Sequence, residues 1–131
     1  MAVRFLSPEW AAAMTQALDS SPEFTSAAAG HEARVQQVVT DAPQGTAQYF
    51  FVLENASAEV GLGTLERADA TVTQSYDTAA AISRRELGPQ QAFIQGKLRI
   101  EGNVMKLMQL QGVLSALGRA VADLDIDYGT S

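Results

Sequence analysis

Cysteine is absent from this chain of 131 residues. Disulfides, thiolate metal sites and a cysteine nucleophile are therefore excluded. Histidine occurs once, as His31. A serine or threonine nucleophile normally needs such a base, oriented in turn by an acid. Between Gly30 and Glu32 nothing marks a partner, and His31 reads as a surface residue. Positive charge is scarce: nine basic residues stand against fifteen acidic ones, for a net charge of −6. The densest basic site is Arg84-Arg85, followed at once by Glu86. A fold that grips a phosphate backbone would show a basic cluster, so nucleic acid is not an expected partner. Firm attachment to an anionic membrane is disfavoured on the same ground. No stretch approaches the ~18 apolar residues of a membrane span, so stable membrane insertion is not expected. MAVRFLSPEW lacks the apolar run of a signal peptide, and Gly129-Thr130-Ser131 match no C-terminal address. The expectation is a cytoplasmic protein.

Cofactor and metal motifs are present only as near misses. Gly61-Leu62-Gly63-Thr64-Leu65-Glu66 starts like a dinucleotide fingerprint, but Glu66 replaces its third glycine. No helix with an open N-terminus clearly follows, and the motif needs one to receive a pyrophosphate. Asp123-Leu124-Asp125-Ile126-Asp127 resembles the start of a calcium loop, but Tyr128 stands where glycine is required. Those acids read as a solvated tail or edge strand. No cofactor, no metal site and no catalytic residue is expected. Carboxylate pairs that converge from distant positions stay open.

What is there is an alternation of helices and strands that suits one domain over residues 1–131. Ser7-Pro8-Glu9 is a helix start: a capping hydroxyl, a proline in the first turn, then an acid at the positive dipole end. Trp10, Ala13, Met14, Ala17 and Leu18 recur at helical spacing until Ser20-Ser21-Pro22 stops the helix. Residues 23–31 stay ambiguous, with a short helical turn at Phe24 as one option. Residues 33–40 and 46–54 read as strands joined by the turn chemistry of Asp41-Ala42-Pro43-Gln44-Gly45. The second of these is apolar on both faces, which places it inside a sheet. Strands follow at 58–63 and 69–74. Asp77 reads as the cap of a helix over 78–85, and Pro89 begins a short helix that Gly96 ends. Lys97 to Glu101 reads as a fifth strand, and Asn103 caps a last helix to about Ala122. The pattern is α+β, a five-stranded sheet with helices mainly on one face.

The last helix is the informative one. Leu107, Leu110, Leu114 and Leu117 form an ordinary core face, and Met105 and Met108 widen the apolar stripe beyond it. Methionine adapts to variable contents. Gly112 inside a helix costs about 1 kcal/mol relative to alanine, which suggests close approach or space. Both a well-buried core helix and a helix lining an apolar cavity satisfy this pattern.

The run Ala68-Asp69-Ala70-Thr71-Val72-Thr73, then Asp77, then Ala92-Phe93-Ile94-Gln95-Gly96-Lys97-Leu98-Arg99-Ile100-Glu101-Gly102-Asn103, followed by Leu107 and Leu110, resembles the sterol carrier protein 2 domain family. The resemblance is strong over residues 68–117 and weaker over the strands from Ala33. It departs at the N-terminal helix and at the C-terminus. It implies an apolar tunnel between sheet and helices, and non-catalytic binding or transfer of a fatty acid, acyl-CoA, sterol or similar lipid without metal or cofactor. A fatty acyl chain is the leading expectation. The expected lining is Phe50, Val52, Phe93, Ile94, Leu98, Ile100, Met105, Met108, Gly112 and Val113. Which sheet face holds the cavity stays open, so Phe50 and Phe51 can exchange roles. Lys97 is either solvated or placed to meet a ligand carboxylate. The alternative function is a dimerising or accessory module that presents an apolar substrate to a partner enzyme, and a homodimer is left open.

Overall fold

The computed structural model describes residues 2–43 and 45–128. Gln44, part of the expected turn, and Gly129-Thr130-Ser131 lie outside the described residues. In chain order the elements are β1 (Val3–Arg4), α1 (Pro8–Asp19), α2 (Pro22–Ala28), β2 (Ala33–Ala42), β3 (Gly45–Glu54), β4 (Ser57–Leu62), β5 (Ala70–Ser75), α3 (Tyr76–Ser83), α4 (Pro89–Ile94), β6 (Leu98–Gly102), α5 (Val104–Gln109), α6 (Gln111–Ala120) and β7 (Ile126–Asp127). Strands β4-β3-β2-β5-β6 form one five-stranded sheet in that order, and β1 pairs in parallel with β7 beside it. The expected α+β class and five-stranded sheet are what the chain forms.

Local signals explain most element ends. Ser7 Oγ accepts the Trp10 N–H at 3.1 Å and starts α1. Ser21 does the same for Phe24 at 3.2 Å, so Pro22, expected only to end α1, opens α2. Ser75 rather than Asp77 caps α3, by accepting the Thr78 N–H at 3.2 Å. Asp77 falls in the first turn, where its charge still suits the positive end of the helix. Asn55 and Ala56 both take positive φ, 51° and 68°, as a two-residue turn of the right-handed hairpin between β3 and β4 requires.

Alternation along the strands assigns two faces. Val35, Phe51, Val60, Val72 and Ile100 share one face through the register Val35↔Phe51, Phe51↔Val60, Val35↔Ala70 and Val72↔Ile100. Phe51 and Leu53 are buried there, and Trp10 of α1 meets the Tyr49 ring edge-on at 5.1 Å. The core is this face together with α1, α2, α3 and α6, through residues such as Leu18, Phe24, Ala79, Val113 and Ala116. Phe50 and Val52 lie on the opposite face, half-buried, and the Phe50 ring covers Gly61 of β4. Gln36, also on that face, is buried beneath the loop after β4: it donates to the Tyr49 and Gly63 carbonyls and accepts the Leu65 N–H.

The expected continuous last helix is broken. Leu110 (φ −93°, ψ 8°) ends α5 and begins α6, with its N–H donated to the Leu107 carbonyl at 3.1 Å. The break rephases the buried stripe. Leu110, Val113 and Ala116 are buried, Leu107 and Leu117 are half-buried, and Leu114 is exposed. The acidic tail is not merely solvated either. Tyr128, just beyond β7, stacks near Phe5 with centroids 5.0 Å apart, and its hydroxyl lies 2.6 Å from Ser83 Oγ. Its carbonyl accepts the Tyr76 hydroxyl at 2.7 Å.

Two glycines bracket β6 with different constraints. Gly102 has φ +100°, and a Cβ there would stand 2.6 Å from the Asp69 carbonyl oxygen and 3.1 Å from Ala70 Cα. Gly96 has φ +78° but open space where a Cβ would go. Urea unfolding should separate them. Gly96→Ala should cost about 1–2 kcal/mol, for the left-handed backbone alone. Gly102→Ala should cost more, at least about 2 kcal/mol, because the backbone carbonyl must also move. Equal losses would contradict the close approach at Gly102. Truncation after Asp123 should also lower stability by at least about 2 kcal/mol, through loss of β7 and the Tyr128 contacts. An unchanged urea midpoint would mean that the tail carries no packing.

Candidate functional site

The two edges of the main sheet differ. At the β4 edge, α1 lies alongside the strand and Thr15 Oγ1 accepts the Val60 N–H at 2.9 Å. The same oxygen is 3.0 Å from the Ala11 carbonyl and 3.2 Å from the Val60 carbonyl. A helix side chain thus satisfies backbone groups that an edge strand would leave open. A recess of about 650 Å³ runs between α1 and β4, bounded by Ala11, Ala12, Gln16, Asp19, Glu59 and Leu62 among others. It is broadly open to solvent and partly polar, with two carboxylates on its rim.

The β6 edge is flanked by short helices. α4 precedes the strand and α5 follows it. Ala92 of α4 is buried in the core, and its carbonyl accepts the Lys97 N–H at 2.8 Å, which ties the end of α4 to the start of β6. At the other end Asn103 Oδ1 accepts the Lys106 N–H at 3.0 Å and starts α5. The Asn103 N–H is donated to the Asp69 carbonyl at 2.9 Å. The Asp69 carboxylate accepts the Arg34 N–H at 2.8 Å and pairs with Lys106 at 3.3 Å. The starts of β2 and β5, the end of β6 and helix α5 therefore meet at one residue.

The ten expected lining residues do not enclose a single space. Leu98 and Val113 are buried in the core, and Ile100 is half-buried on the helix-covered face. Met105 and Met108 stand out from α5, 65% and 56% exposed. Phe93 and Ile94 stand out from α4, 46% and 83% exposed. Gly112 is exposed, with nothing near the position of a Cβ, so it is neither overpacked nor a close-approach site. Phe50 and Val52 are on the far sheet face from Leu98 and Ile100. Of the two exchangeable phenylalanines, Phe51 is the one on the helix-covered face. Lys97 is exposed.

Other groups of chemical interest are placed as follows. His31 is half-exposed, and with Glu32, Asn55, Lys106 and Gln109 it borders a polar recess of about 330 Å³. Sequence reading had no signal for that convergence, because it joins two loops, at 30–32 and at Asn55, to α5. Burial pushes the Tyr49 and Tyr76 phenols above their ordinary value of 10.0, so both are neutral at physiological pH. Among the described residues, no group of three or more His, Asp or Glu side chains is placed to hold a metal ion. No helix among them is long and apolar enough to cross a membrane.

Comparison with known proteins agrees with this layout. Residues 14–115 match the SCP-2 sterol transfer family. Sterol carrier protein 2 of Gallus gallus is 32% identical over 83 residues, which are 63% of this chain and 15% of that one. The chain thus spans only a small part of the curated relatives it matches. A crystal structure of sterol carrier protein 2 superposes with a TM-score of 0.78 at 19% identity, covering 92% of this chain and 99% of that one. The solution structure of palmitated SCP2L2 from Aedes aegypti gives a TM-score of 0.60 at 21% identity, over 88% of this chain and 95% of that one. With a fold in common and a family match over most of its length, this chain belongs to the SCP-2 sterol transfer family.

Proposed function

We propose that this protein binds and carries a hydrophobic small molecule, a fatty acyl chain before other lipids, without catalysing a reaction on it. The observation that carries the reading is the exposure of Met105 and Met108 on the helix that follows β6. Large apolar side chains grouped at a surface are covered by something when they function. On the helix-covered side of β6, Leu98 and Ile100 supply an apolar floor, Val113 lies in the same core, and the bare Gly112 leaves room on α6. Methionines on a short helix, separated from α6 by the break at Leu110, suit a wall that adjusts to its contents. The palmitated relative supports an acyl chain as the class. The α1–β4 recess is the weaker candidate, because its rim bears Asp19 and Glu59 and it is broadly open to solvent.

A second reading has one observation in its favour. The matched segment is 15% of the curated relatives, so in those chains such a domain accompanies other parts. A domain that presents an apolar substrate to an enzyme fits that arrangement. Size-exclusion mass with and without delipidation distinguishes it, since a dimerising module should change mass and a simple carrier should not.

Burying about twelve methylenes at ~0.8 kcal/mol each gives a gross gain near 10 kcal/mol. Association and chain ordering oppose it by several kcal/mol, so micromolar affinity is expected. Delipidated protein should take up a fluorescent acyl probe saturably in solution. Met105→Ser with Met108→Ser should weaken uptake about tenfold, equivalent to ~1.4 kcal/mol. No saturable uptake up to about 100 µM probe would overturn the carrier reading. Gly112→Leu provides a separate check. With nothing to collide with, the free protein should keep its stability or gain about 1 kcal/mol, while probe uptake falls. A destabilised variant with full uptake would remove Gly112 from the site.

A further inference from the structure

Two glutamines interrupt the apolar floor of the main sheet. Gln37 of β2 alternates with Val35 and Val39, and Gln74 of β5 alternates with Val72, so both project from the helix-covered face. Gln74 Nε2 donates to Gln37 Oε1 at 2.9 Å. Gln74 is 7% exposed and Gln37 is half-buried. Register sets the pair against the floor that Leu98 and Ile100 supply. Gln74 is the Cα partner of Val39 and of Leu98, and Gln37 is that of Tyr49 and of Val72, which in turn pairs with Ile100. A buried amide is more telling than a buried leucine, because it loses water and needs hydrogen bonds in exchange. The bond between the two leaves Gln37 Nε2 and Gln74 Oε1 without a hydrogen-bond partner among the described residues. Neither atom is sealed off. Among the described residues, the one fully buried side-chain polar atom without a partner is Trp10 Nε1. The pair thus presents one free donor group and one free acceptor, and reversing both amides would only exchange which residue supplies which.

We propose that this amide pair selects an acyl chain with a hydroxyl partway along it, which accepts from the free amide N–H and donates to the free amide carbonyl. A hydroxyl has both functions and a methylene has neither. An unsubstituted chain laid over the pair would strip water from both amides and offer nothing in return. A carboxylate there would be a buried charge with no cation beside it, since the register neighbours are Val39, Tyr49, Val72 and Leu98. The pair spans the third and fourth strands of the order β4-β3-β2-β5-β6. That is about 5 to 10 Å in from β6, so a chain entering at the β6 edge reaches it with its interior carbons. The inference rests on the carrier reading and refines it, from a plain fatty acyl chain to a hydroxylated one.

The test uses the delipidated full chain loaded with a fluorescent acyl probe. Stearic acid, 10-hydroxystearic acid and 12-hydroxystearic acid are then compared as displacing ligands. At least one hydroxylated acid should displace the probe at about tenfold lower concentration than stearic acid. Gln37→Leu with Gln74→Met replaces both amides by apolar groups of similar size. That variant should lose the preference, and stearic acid should displace its probe more readily than in the wild type, because no amide is left to desolvate. Its urea midpoint checks that it is folded, and the wild-type comparison decides the matter even if it is not. Equal displacement by all three acids would overturn the inference alone, since the pair would then only tie β2 to β5 or hold water. So would a hydroxyl preference that survives in the folded double variant. A wild type that takes up no probe would overturn the carrier reading, and this inference with it.

Discussion

The sheet edge that matters here depends on a close approach between Asp69 and Gly102. The Asp69 carbonyl accepts the Asn103 N–H at 2.9 Å, and no side chain at position 102 would let it come so near. The Asp69 carboxylate meanwhile takes the Arg34 N–H and the Lys106 ammonium. One residue therefore fixes where β2 and β5 begin in register, where β6 ends, and how α5 leaves the sheet. The ion pair is part-exposed, and a pair in that setting contributes little alone. Its weight comes from being joined to a backbone junction that a Cβ would break apart.

That junction sets the setting in which apolar side chains can remain exposed. α5 is six residues long and ends at Leu110, so it cannot present a continuous face to the core. Its methionines are left outside while Leu110, Val113 and Ala116 supply the packing. α4 is equally short, and it buries Ala92 while releasing Phe93 and Ile94. Short helices, each tied at one end to a rigid strand, can hold exposed apolar groups without collapsing onto them. A carrier needs that combination, since its cargo must enter and leave.

Several features were legible because their causes are local. Ser7-Pro8-Glu9 marked a helix start, and alternation marked β2 to β6, because capping and the two-residue period act within a few residues. The resemblance carried by residues 68–73, 77, 92–103, 107 and 110 led to the family whose match covers residues 14–115. The misses have physical reasons too. β1 and β7 are two residues each, too short for any period to show. Ser75 and Asp77 are both competent caps, and only the path of the chain out of β5 chose between them. The break at Leu110 has no glycine or proline to announce it. The roles of Phe50 and Phe51 stayed interchangeable for want of a face, since β3 is apolar on both sides.

By itself the sequence determined the fold class, the order of the main elements and the two glycine junctions around β6. Those follow from backbone preferences, caps and periodicity, which are properties of neighbouring residues. Only the tertiary structure decided which sheet face meets the helices, which apolar residues stay exposed, and that Asp69 meets Gly102, Arg34 and Lys106. Such outcomes depend on residues brought together from more than thirty positions apart along the chain, as Arg34 and Asp69 are. Burial is a property of the assembled layers: the sequence shows that Met105 and Val113 are both apolar, and only packing makes one of them surface and the other core.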